Sequence, residues 1–205
     1  MAIRPIFWTG SADCVSDYLV ANKRLQAISS QHPLYILYSG EDGYLRRCYP
    51  DAVLVPCQNE WKAKACKVFS YLKERDDFDV VIRFCPDAVI KDVTWLLQLV
   101  EQGMCGRFDV AVGNKAFFAD VWYLRGACNA TPRSVVGRMS LVPSDRDYDT
   151  WYSLAVEAAG GKLNDWPLFE INNRYTGKCP VWHPTQYDNG HRDMAVRFQT
   201  FLKEC

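Results

Sequence analysis

One stretch of the sequence joins a buried strand to a single carboxylate: Val80-Val81-Ile82-Arg83-Phe84-Cys85-Pro86-Asp87-Ala88-Val89-Ile90. Its first five residues are apolar apart from Arg83, which is typical of a strand covered on both faces. Asp87 follows in a turn after Pro86, and the chain then becomes apolar again. A hard divalent cation needs anionic oxygen ligands on a rigid edge, so Asp87 is a candidate metal ligand. The structural alternative is that Asp87 only caps the turn.

Strand-like and helix-like segments alternate on both sides of this stretch. Strands are predicted at residues 5–9, 34–38, 52–55, 78–84, 109–112 and 119–124, and helices at 14–28, 61–72, 90–102, 147–159 and 191–202. Residues 163–190 are expected to be irregular. This alternation predicts an α/β fold in which a mostly parallel mixed sheet lies between helices, in three α/β/α layers. Ligands bind such sheets at the carboxyl ends of the strands, here after Thr9, Tyr38, Val55 and Phe84.

The composition of the chain disfavours nucleic-acid-binding, membrane-spanning and secreted proteins. The 205 residues suit a single domain, and 24 basic and 24 acidic residues give a net charge of zero, which does not favour nucleic-acid binding. No apolar run is long enough to span a membrane, and Pro5 and Gly10 interrupt any signal-peptide pattern. The nine cysteines are scattered without zinc-finger spacing, which favours a reduced, intracellular protein.

The strand end at Asp87 resembles the Asp-x-Asp strand end of GT-A glycosyltransferases. Asp87 matches the second Asp of that motif, and Cys85 stands where the first would be. From Ile6 to Ala159 the order of elements is also similar to the compact glycosyltransferases encoded by chlorella viruses. The resemblance implies transfer of a sugar from a nucleoside diphosphate donor, a UDP-sugar first of all, to a glycan or other hydroxyl acceptor. It further implies a divalent cofactor, Mn²⁺ or Mg²⁺, and a cytoplasmic location, the host cytoplasm for a viral enzyme.

The resemblance also implies which residues bind the donor. Lys64 on the preceding helix and Arg83 are expected to contact the diphosphate, and the loops after the first two strands are expected to contact the base and ribose. Gly126 is expected in a turn that shapes the sugar pocket. The donor-binding candidates are Thr9, Gly10, Ser11, Ser39, Asp42, Lys64, Arg83, Asp87 and Gly126. Each of them also has an ordinary structural explanation as a turn residue or a solvated basic side chain.

Catalytic and further metal-binding candidates come from the second half of the chain. In inverting members of the family an acidic residue at the start of a late helix is often the base, and Asp149 and Asp147 match that position. Acidic residues at a helix N-terminus also compensate the helix dipole. A C-terminal His supplies a further metal ligand in several such families, which makes His183 the first candidate here and His191 the second.

Two other functions remain open from the sequence. A sugar-1-phosphate nucleotidyltransferase shares this type of sheet, but it needs a Gly-rich basic loop that Trp8–Asp13 does not supply. A non-catalytic module that binds a sugar nucleotide or glycan is favoured slightly by Cys85. A Rossmann oxidoreductase is disfavoured because no Gly-x-Gly-x-x-Gly follows a strand. The chain is expected to form one catalytic domain, with a nucleotide-binding part at about residues 1–105 and an acceptor-side part at about 106–205.

Overall fold

The computed structural model of the chain describes residues 3–11, 16–118, 120–142, 145–172, 174–184 and 194–205. Its strands are β1 (Pro5–Gly10), β2 (Leu34–Tyr38), β3 (Val53–Pro56), β4 (Val80–Phe84), β5 (Val89–Ile90), β6 (Val110–Phe118), β7 (Val121–Pro132), β8 (Lys162–Asp165), β9 (Phe169–Ile171) and β10 (Val181–His183). Its helices are α1 (Ser16–Ala21), α2 (Arg24–Ser29), α3 (Gly43–Cys48), α4 (Trp61–Leu72), α5 (Val93–Met104), α6 (Arg133–Val136), α7 (Tyr148–Ala158) and α8 (Met194–Glu204).

Seven strands form the central sheet, in the order β3-β2-β1-β4-β7-β6-β8. The first four in this order are parallel to one another, and β7 is antiparallel to both of its neighbours. β8 is parallel to β6. The chain adds β2 and β3 on one side of β1 and then places β4 on the other side. The strand order therefore reverses between β1 and β4, and a ligand crevice is expected at their carboxyl ends.

Helices cover both faces of the sheet because the central strands are apolar on both sides. All six residues of β1 are buried. Phe7 points into a core with Leu25 of α2 and Leu96 of α5. Trp8, one residue later and therefore on the opposite face, belongs to a core with Phe69 of α4 and Tyr152 of α7. The layers are helix, sheet and helix, as the sequence predicts.

A small second sheet has the order β5-β10-β9. β10 is antiparallel to β5, with Trp182 opposite Val89, and parallel to β9. Trp182 and Val89 are buried together with Phe201 of α8. Because β5 follows the turn after β4, this sheet ties the C-terminal part of the chain to the carboxyl end of β4.

The predicted helix at residues 14–28 is divided in the structure into α1 and α2. Asn22 lies between the two helices and is fully buried. Its side-chain amide donates to the carbonyl of Ala88 at 3.0 Å. A buried amide needs such a partner, and this contact anchors the break between the helices to the turn after β4. Residues 14 and 15 lie outside the described ranges.

The second half of the chain contains more strand than the sequence predicts. The strand predicted at 119–124 extends to Pro132, so Gly126 lies inside β7 and not in a turn. The region predicted to be irregular contains β8, β9 and β10. Gly126, Asn129 and Pro132 have weak strand propensity, but β7 is paired with β4 on one side and β6 on the other. This tertiary pairing overrides the local preference.

Among the described residues, no helix combines the length and the apolar character that a membrane crossing requires.

Candidate active site

Three potential metal ligands meet at the carboxyl end of β4. The Sγ atom of Cys85, a carboxylate oxygen of Asp87 and a ring nitrogen of His183 all lie within 4.8 Å of one another. Cys85 and Asp87 flank Pro86 in the turn between β4 and β5. His183 reaches them because β10 pairs with β5 in antiparallel register. We refer to these three residues as the Cys-Asp-His cluster.

A direct contact links two members of the cluster. Nε2 of His183 lies 3.2 Å from Oδ1 of Asp87, and the side chains are only 13% and 11% exposed. Burial by itself would lower the pKa of His183, but the charge and hydrogen bond of Asp87 and the contact with Cys85 outweigh burial and raise it to about 9. The same electrostatics that favour a proton on His183 also favour a cation between the two side chains.

The donor atoms of the cluster fit a divalent metal ion. Carboxylate oxygen, imidazole nitrogen and thiolate sulfur are all common ligands of transition metals in proteins. The turn that carries Cys85 and Asp87 is closed by a hydrogen bond from the Ala88 amide to the Cys85 carbonyl, at 3.0 Å. Cys85 also receives support from β7, since its amide donates to the Ala127 carbonyl at 3.0 Å. The ligands are therefore held on a rigid edge of the sheet.

Arg83 lies directly behind this cluster, inside β4. It is 3% exposed, and its guanidinium packs against two neighbouring aromatic rings, 4.8 Å from the centroid of Trp61 and 4.7 Å from that of Tyr148. Nη1 donates to the carbonyl of Gly126 and lies 3.7 Å from Oδ1 of Asp149. Burial acts to lower the pKa of Arg83, but the surrounding Cys85, Tyr148 and Asp149 side chains raise it overall. Arg83 is thus a fixed positive charge at this site.

Asp149 approaches the site from the first turn of α7. Its Oδ2 accepts a hydrogen bond of 2.8 Å from the Gly126 amide. Burial raises the pKa of Asp149, and the Arg83 charge and the Gly126 amide oppose this rise only in part. A carboxylate with a raised pKa can exchange a proton closer to neutral pH than an exposed aspartate can.

Gly126 is the point at which Arg83 and Asp149 meet. A Cβ atom at this position would lie 2.0 Å from Nη1 of Arg83 and 2.2 Å from Oδ1 of Asp149. Only glycine leaves room for both side chains. The position follows from the sheet topology: β7 runs antiparallel to β4, so an early residue of β7 lies beside the carboxyl end of β4.

These residues surround a cavity of about 440 Å³. We call it the central cavity; its lining includes Arg83, Cys85, Arg125, Gly126, Asp149 and His183. Cationic, acidic and metal-ligating side chains therefore face one space. A pocket with several converging polar groups of this kind is the usual location of an active site.

Asp147 also lines the central cavity, but it has a structural role as the N-cap of α7. Its side chain accepts a hydrogen bond of 3.1 Å from the Thr150 amide. Burial acts to raise the pKa of Asp147, and the hydrogen bonds from Thr150 and neighbouring amides lower it overall. Of the two acidic candidates, Asp149 has a raised pKa and Asp147 a lowered one, and Asp147 also caps α7.

The predicted contacts near the end of β1 lie beside Trp61, one of the residues that line the central cavity. Lys64 is 1% exposed, and its side chain packs so closely below Gly10 that a Cβ there would meet Cδ of Lys64 at 2.9 Å. Nζ of Lys64 donates to Oδ1 of Asn59 at 3.1 Å. Thr9 and Ser11 are also buried, and the Ser11 hydroxyl lies 3.3 Å from the hydroxyl of Tyr44. The alternative of a solvated basic side chain is therefore wrong for Lys64, which is part of the interior.

Ser39 and Asp42 are separated from the central cavity. Ser39 lines a second cavity of about 720 Å³ between α1, the end of β2, α3 and α8. Asp42 precedes α3 and pairs with Arg46 at 2.6 Å, and it accepts a hydrogen bond of 3.0 Å from Tyr38. The structure therefore brings together Arg83, Asp87, Gly126, Asp149 and His183 among the predicted site residues. His191 lies outside the described residues.

The cavity residues that were not singled out as site residues from the sequence include Trp61, Tyr123, Arg125 and Tyr148. Arg125 could have been found, because it precedes Gly126 in a segment that the sequence already indicates. The two rings that pack against Arg83 could not have been found from the sequence, since Trp61 and Tyr148 belong to helices that only tertiary packing brings to β4. Their spacing in the sequence is that of ordinary core residues.

Comparison with solved structures shows which known folds the chain resembles. It matches a mannosyltransferase from Pyrobaculum calidifontis in complex with GDP-mannose and Mn²⁺, with a TM-score of 0.58 and 17% identity over 82% of this chain. The galactosyltransferase LgtC, in complex with donor and acceptor sugar analogues, matches with a TM-score of 0.61 and 11% identity over 97% of this chain and 95% of LgtC. The chain spans 55% of the length of the mannosyltransferase.

A nucleotidyltransferase has a similar fold. 4-Diphosphocytidyl-2C-methyl-D-erythritol synthase matches with a TM-score of 0.54 and 14% identity, over 81% of this chain and 90% of the synthase. No protein-family model and no curated protein matches the sequence. All three identities are too low to transfer an activity. The predicted fold class is confirmed: the chain has the GT-A-like fold that these sugar and nucleotide transferases share.

Proposed function

We propose that this protein is a glycosyltransferase that moves a sugar from a nucleoside diphosphate donor to a hydroxyl acceptor. The observation that carries the proposal is the meeting of Cys85, Asp87 and His183 at the carboxyl end of β4, beside a cavity that also contains Arg83 and Asp149. The site lies where the strand order reverses, which is where sheets of this kind bind nucleotides. A UDP-sugar is the first donor to test.

The diphosphate would be bound by positive charge at the base of the central cavity. A divalent cation, Mn²⁺ or Mg²⁺ by the resemblance, would be held by Asp87 and His183 and would neutralise the charge of the leaving diphosphate. Arg83 adds a buried guanidinium whose orientation is set by the rings of Trp61 and Tyr148. Arg125, which lines the same cavity, is a second cationic contact. The burial of Lys64 below Gly10 favours a supporting role for Lys64 near the end of β1.

Asp149 would act as the general base of an inverting transfer. The acceptor hydroxyl would lose its proton to Asp149 while its oxygen forms a bond to the anomeric carbon of the donor. The bond from that carbon to the diphosphate oxygen would break, and the diphosphate would leave with the electron pair. The raised pKa of Asp149 supports this role, and Gly126 and Arg83 fix the direction of its carboxylate.

A thermal-shift assay with nucleotide sugars, with and without Mn²⁺ or Mg²⁺, tests the donor site. A ligand at 100 times its Kd stabilises a protein by about 2.7 kcal/mol, which for a domain of this size corresponds to roughly 5–10 °C. We expect a shift of this order with a UDP-sugar and metal, and its loss in Asp87→Ala. Asp51→Ala, at an exposed position, is the matched control. No shift with any nucleotide would overturn the proposal.

Two further measurements separate this function from the alternatives. Slow hydrolysis of the donor, or transfer to a simple sugar, distinguishes an enzyme from a module that only binds sugar nucleotides. A nucleotidyltransferase remains the second candidate, since one such enzyme shares the fold. It would release pyrophosphate from a nucleoside triphosphate and a sugar phosphate. We expect no such release, because Trp8–Asp13 contains neither Lys nor Arg for a triphosphate.

Several finer statements belong to the same proposal. We retain the division into a nucleotide-binding part at about residues 1–105 and an acceptor-side part at about 106–205. The central cavity supports it, since Arg83 and Cys85 come from the first part and Asp149 and His183 from the second. The resemblance to chlorella-virus enzymes and the cytoplasmic location stay predictions.

A further inference from the structure

We infer that the Cys-Asp-His cluster is a three-ligand site that binds Zn²⁺ in preference to Mg²⁺ and Mn²⁺, with Cys85 as a thiolate ligand. The inference rests on the proposed function, because it specifies the cation of the donor site. The site differs from the Asp-x-Asp motif at position 85, where the sulfur of a cysteine replaces the carboxylate oxygens of the first aspartate.

The spacing of the three ligand atoms suits a tetrahedral ion. Zinc bonds to sulfur, nitrogen and oxygen are about 2.0–2.3 Å long, which places tetrahedral ligand atoms roughly 3.3–3.6 Å apart. Nε2 of His183 and Oδ1 of Asp87 are 3.2 Å apart, and all three ligand atoms lie within 4.8 Å of one another. Small side-chain rotations bring such a set to coordination distance.

The surroundings of the ligands favour binding without rearrangement of the backbone. Cys85 and Asp87 are held by the turn after β4, whose Ala88 amide bonds to the Cys85 carbonyl. His183 is held by the pairing of β10 with β5 and β9. The Sγ atom of Cys85 donates to the Gly126 carbonyl at 3.3 Å, so the sulfur is already oriented toward β7. A metal would replace the thiol proton.

The cluster also leaves one coordination position available. Cys85 and His183 line the central cavity, so a fourth ligand can approach from that side. Three protein ligands and one exchangeable position are typical of catalytic zinc sites, whereas structural zinc sites use four protein ligands. A diphosphate oxygen of a bound donor is the group that the proposed function would supply.

The choice of metal follows from the chemistry of the donor atoms. Mg²⁺ requires near-octahedral coordination by oxygen, and the cluster offers one carboxylate. Affinity for nitrogen and sulfur ligands rises from Mn²⁺ through Co²⁺ to Zn²⁺, and a thiolate strengthens this trend. Cys85→Asp restores two carboxylates, so this variant should shift the preference back toward Mn²⁺.

The experiment is a metal titration of the 205-residue chain after treatment with a chelator. Co²⁺ is the spectroscopic probe, because a cobalt–thiolate bond absorbs in the near ultraviolet and tetrahedral Co²⁺ absorbs in the visible. We expect both bands in the wild type, displacement of Co²⁺ by Zn²⁺, and no displacement by an equal concentration of Mg²⁺. Cys85→Asp should lose the thiolate band and weaken Zn²⁺ binding by at least about 10-fold.

Controls address the other cysteines and the link to the proposed function. Cys105→Ser, at an exposed position at the end of α5, should leave both bands unchanged. A thiolate band that persists in Cys85→Asp, or a wild type that binds Mg²⁺ as tightly as Zn²⁺, would overturn the inference. Nucleotide-sugar binding is measured separately. If the protein binds the donor with Mg²⁺ alone and shows no cobalt–thiolate band, only the metal assignment is contradicted. If it shows the cobalt band but binds no nucleotide, only the proposed function is contradicted.

Discussion

His183 and Asp87 lie 3.2 Å apart, Nε2 to Oδ1, although Asp87 lies in the turn after β4 and His183 in β10, near the other end of the chain. The contact exists because β10 pairs with β5 immediately after the turn that carries Asp87. Both side chains are largely buried, so each depends on the other for electrostatic compensation. This pair is the centre of the proposed metal site, and it leads to the first prediction.

Asp87→Asn should abolish metal-dependent stabilisation by a nucleotide sugar. The substitution keeps the volume of the side chain but removes the anionic ligand, so the metal Kd should rise by about 100-fold or more. Calorimetric titration with Mn²⁺ and Zn²⁺ measures the change. Asp51→Asn, on the surface, should bind metal like the wild type. Unchanged affinity in Asp87→Asn would remove Asp87 from the ligand set.

Gly126→Ala should impair both stability and turnover. The new methyl group would lie 2.0 Å from Nη1 of Arg83 and 2.2 Å from Oδ1 of Asp149, so one of these side chains has to move. Overpacking of this kind costs about 1–3 kcal/mol, and chemical denaturation measures it. Gly43→Ala is the control, because its nearest neighbour, Nη1 of Arg47, would be 3.8 Å away. Equal stability of the two variants would contradict the tight fit at Gly126.

Arg83→Met should move the acid limb of the pH–rate profile to higher pH. The positive charge of Arg83 lowers the pKa of Asp149, which burial raises. Without that charge the pKa of Asp149 should rise further, by about 1–3 units, and a general base must be deprotonated to act. Measuring the rate of donor turnover from pH 4 to 9 locates the acid limb of the profile in the wild type and in Arg83→Met.

Arg46→Met is the control for this experiment, since Arg46 pairs with Asp42 at an exposed position. It should keep the wild-type profile. Asp149→Asn should lower turnover by about 10²–10⁴-fold. An acid limb that does not move in Arg83→Met, together with full turnover in Asp149→Asn, would exclude Asp149 as the base.

Asp79→Asn should reduce stability at neutral pH but not in acid. Asp79 accepts hydrogen bonds from the backbone amide and guanidinium of Arg4, at 2.9–3.1 Å, and the Arg4 contacts lower the pKa of Asp79 despite partial burial. A lowered folded-state pKa adds stability above the unfolded value, about 3.9. That stability is lost as the pH falls through the folded pKa.

Melting temperatures at pH 7 and below pH 4 measure this difference. The difference in melting temperature between the wild type and Asp79→Asn should be present at pH 7 and should shrink in acid. Asp51→Asn should have the same melting temperature as the wild type at both pH values. A difference that stays constant across this range would mean that the carboxylate charge of Asp79 does not contribute.

Much of the fold follows from local patterns. Five apolar residues in Leu34–Tyr38 and the run before Cys85 are strands because continuous hydrophobicity suits a sheet covered on both faces. α4 follows from apolar residues at helical spacing, from Trp61 to Leu72. The second half of β7 and the second sheet could not be found in this way, because Gly126 and its neighbours form a strand only when β4 and β6 pair with them.

The sequence by itself determined the chemistry that the site can contain. It put one carboxylate after a buried strand at Asp87, a thiol at Cys85 in place of a second carboxylate, and an imidazole at His183. Whether these groups meet depends on long-range pairing, because local sequence carries no information about which strand β10 joins. Tertiary structure alone decided that His183 contacts Asp87, that Asp149 reaches Gly126, and that Lys64 is buried below Gly10.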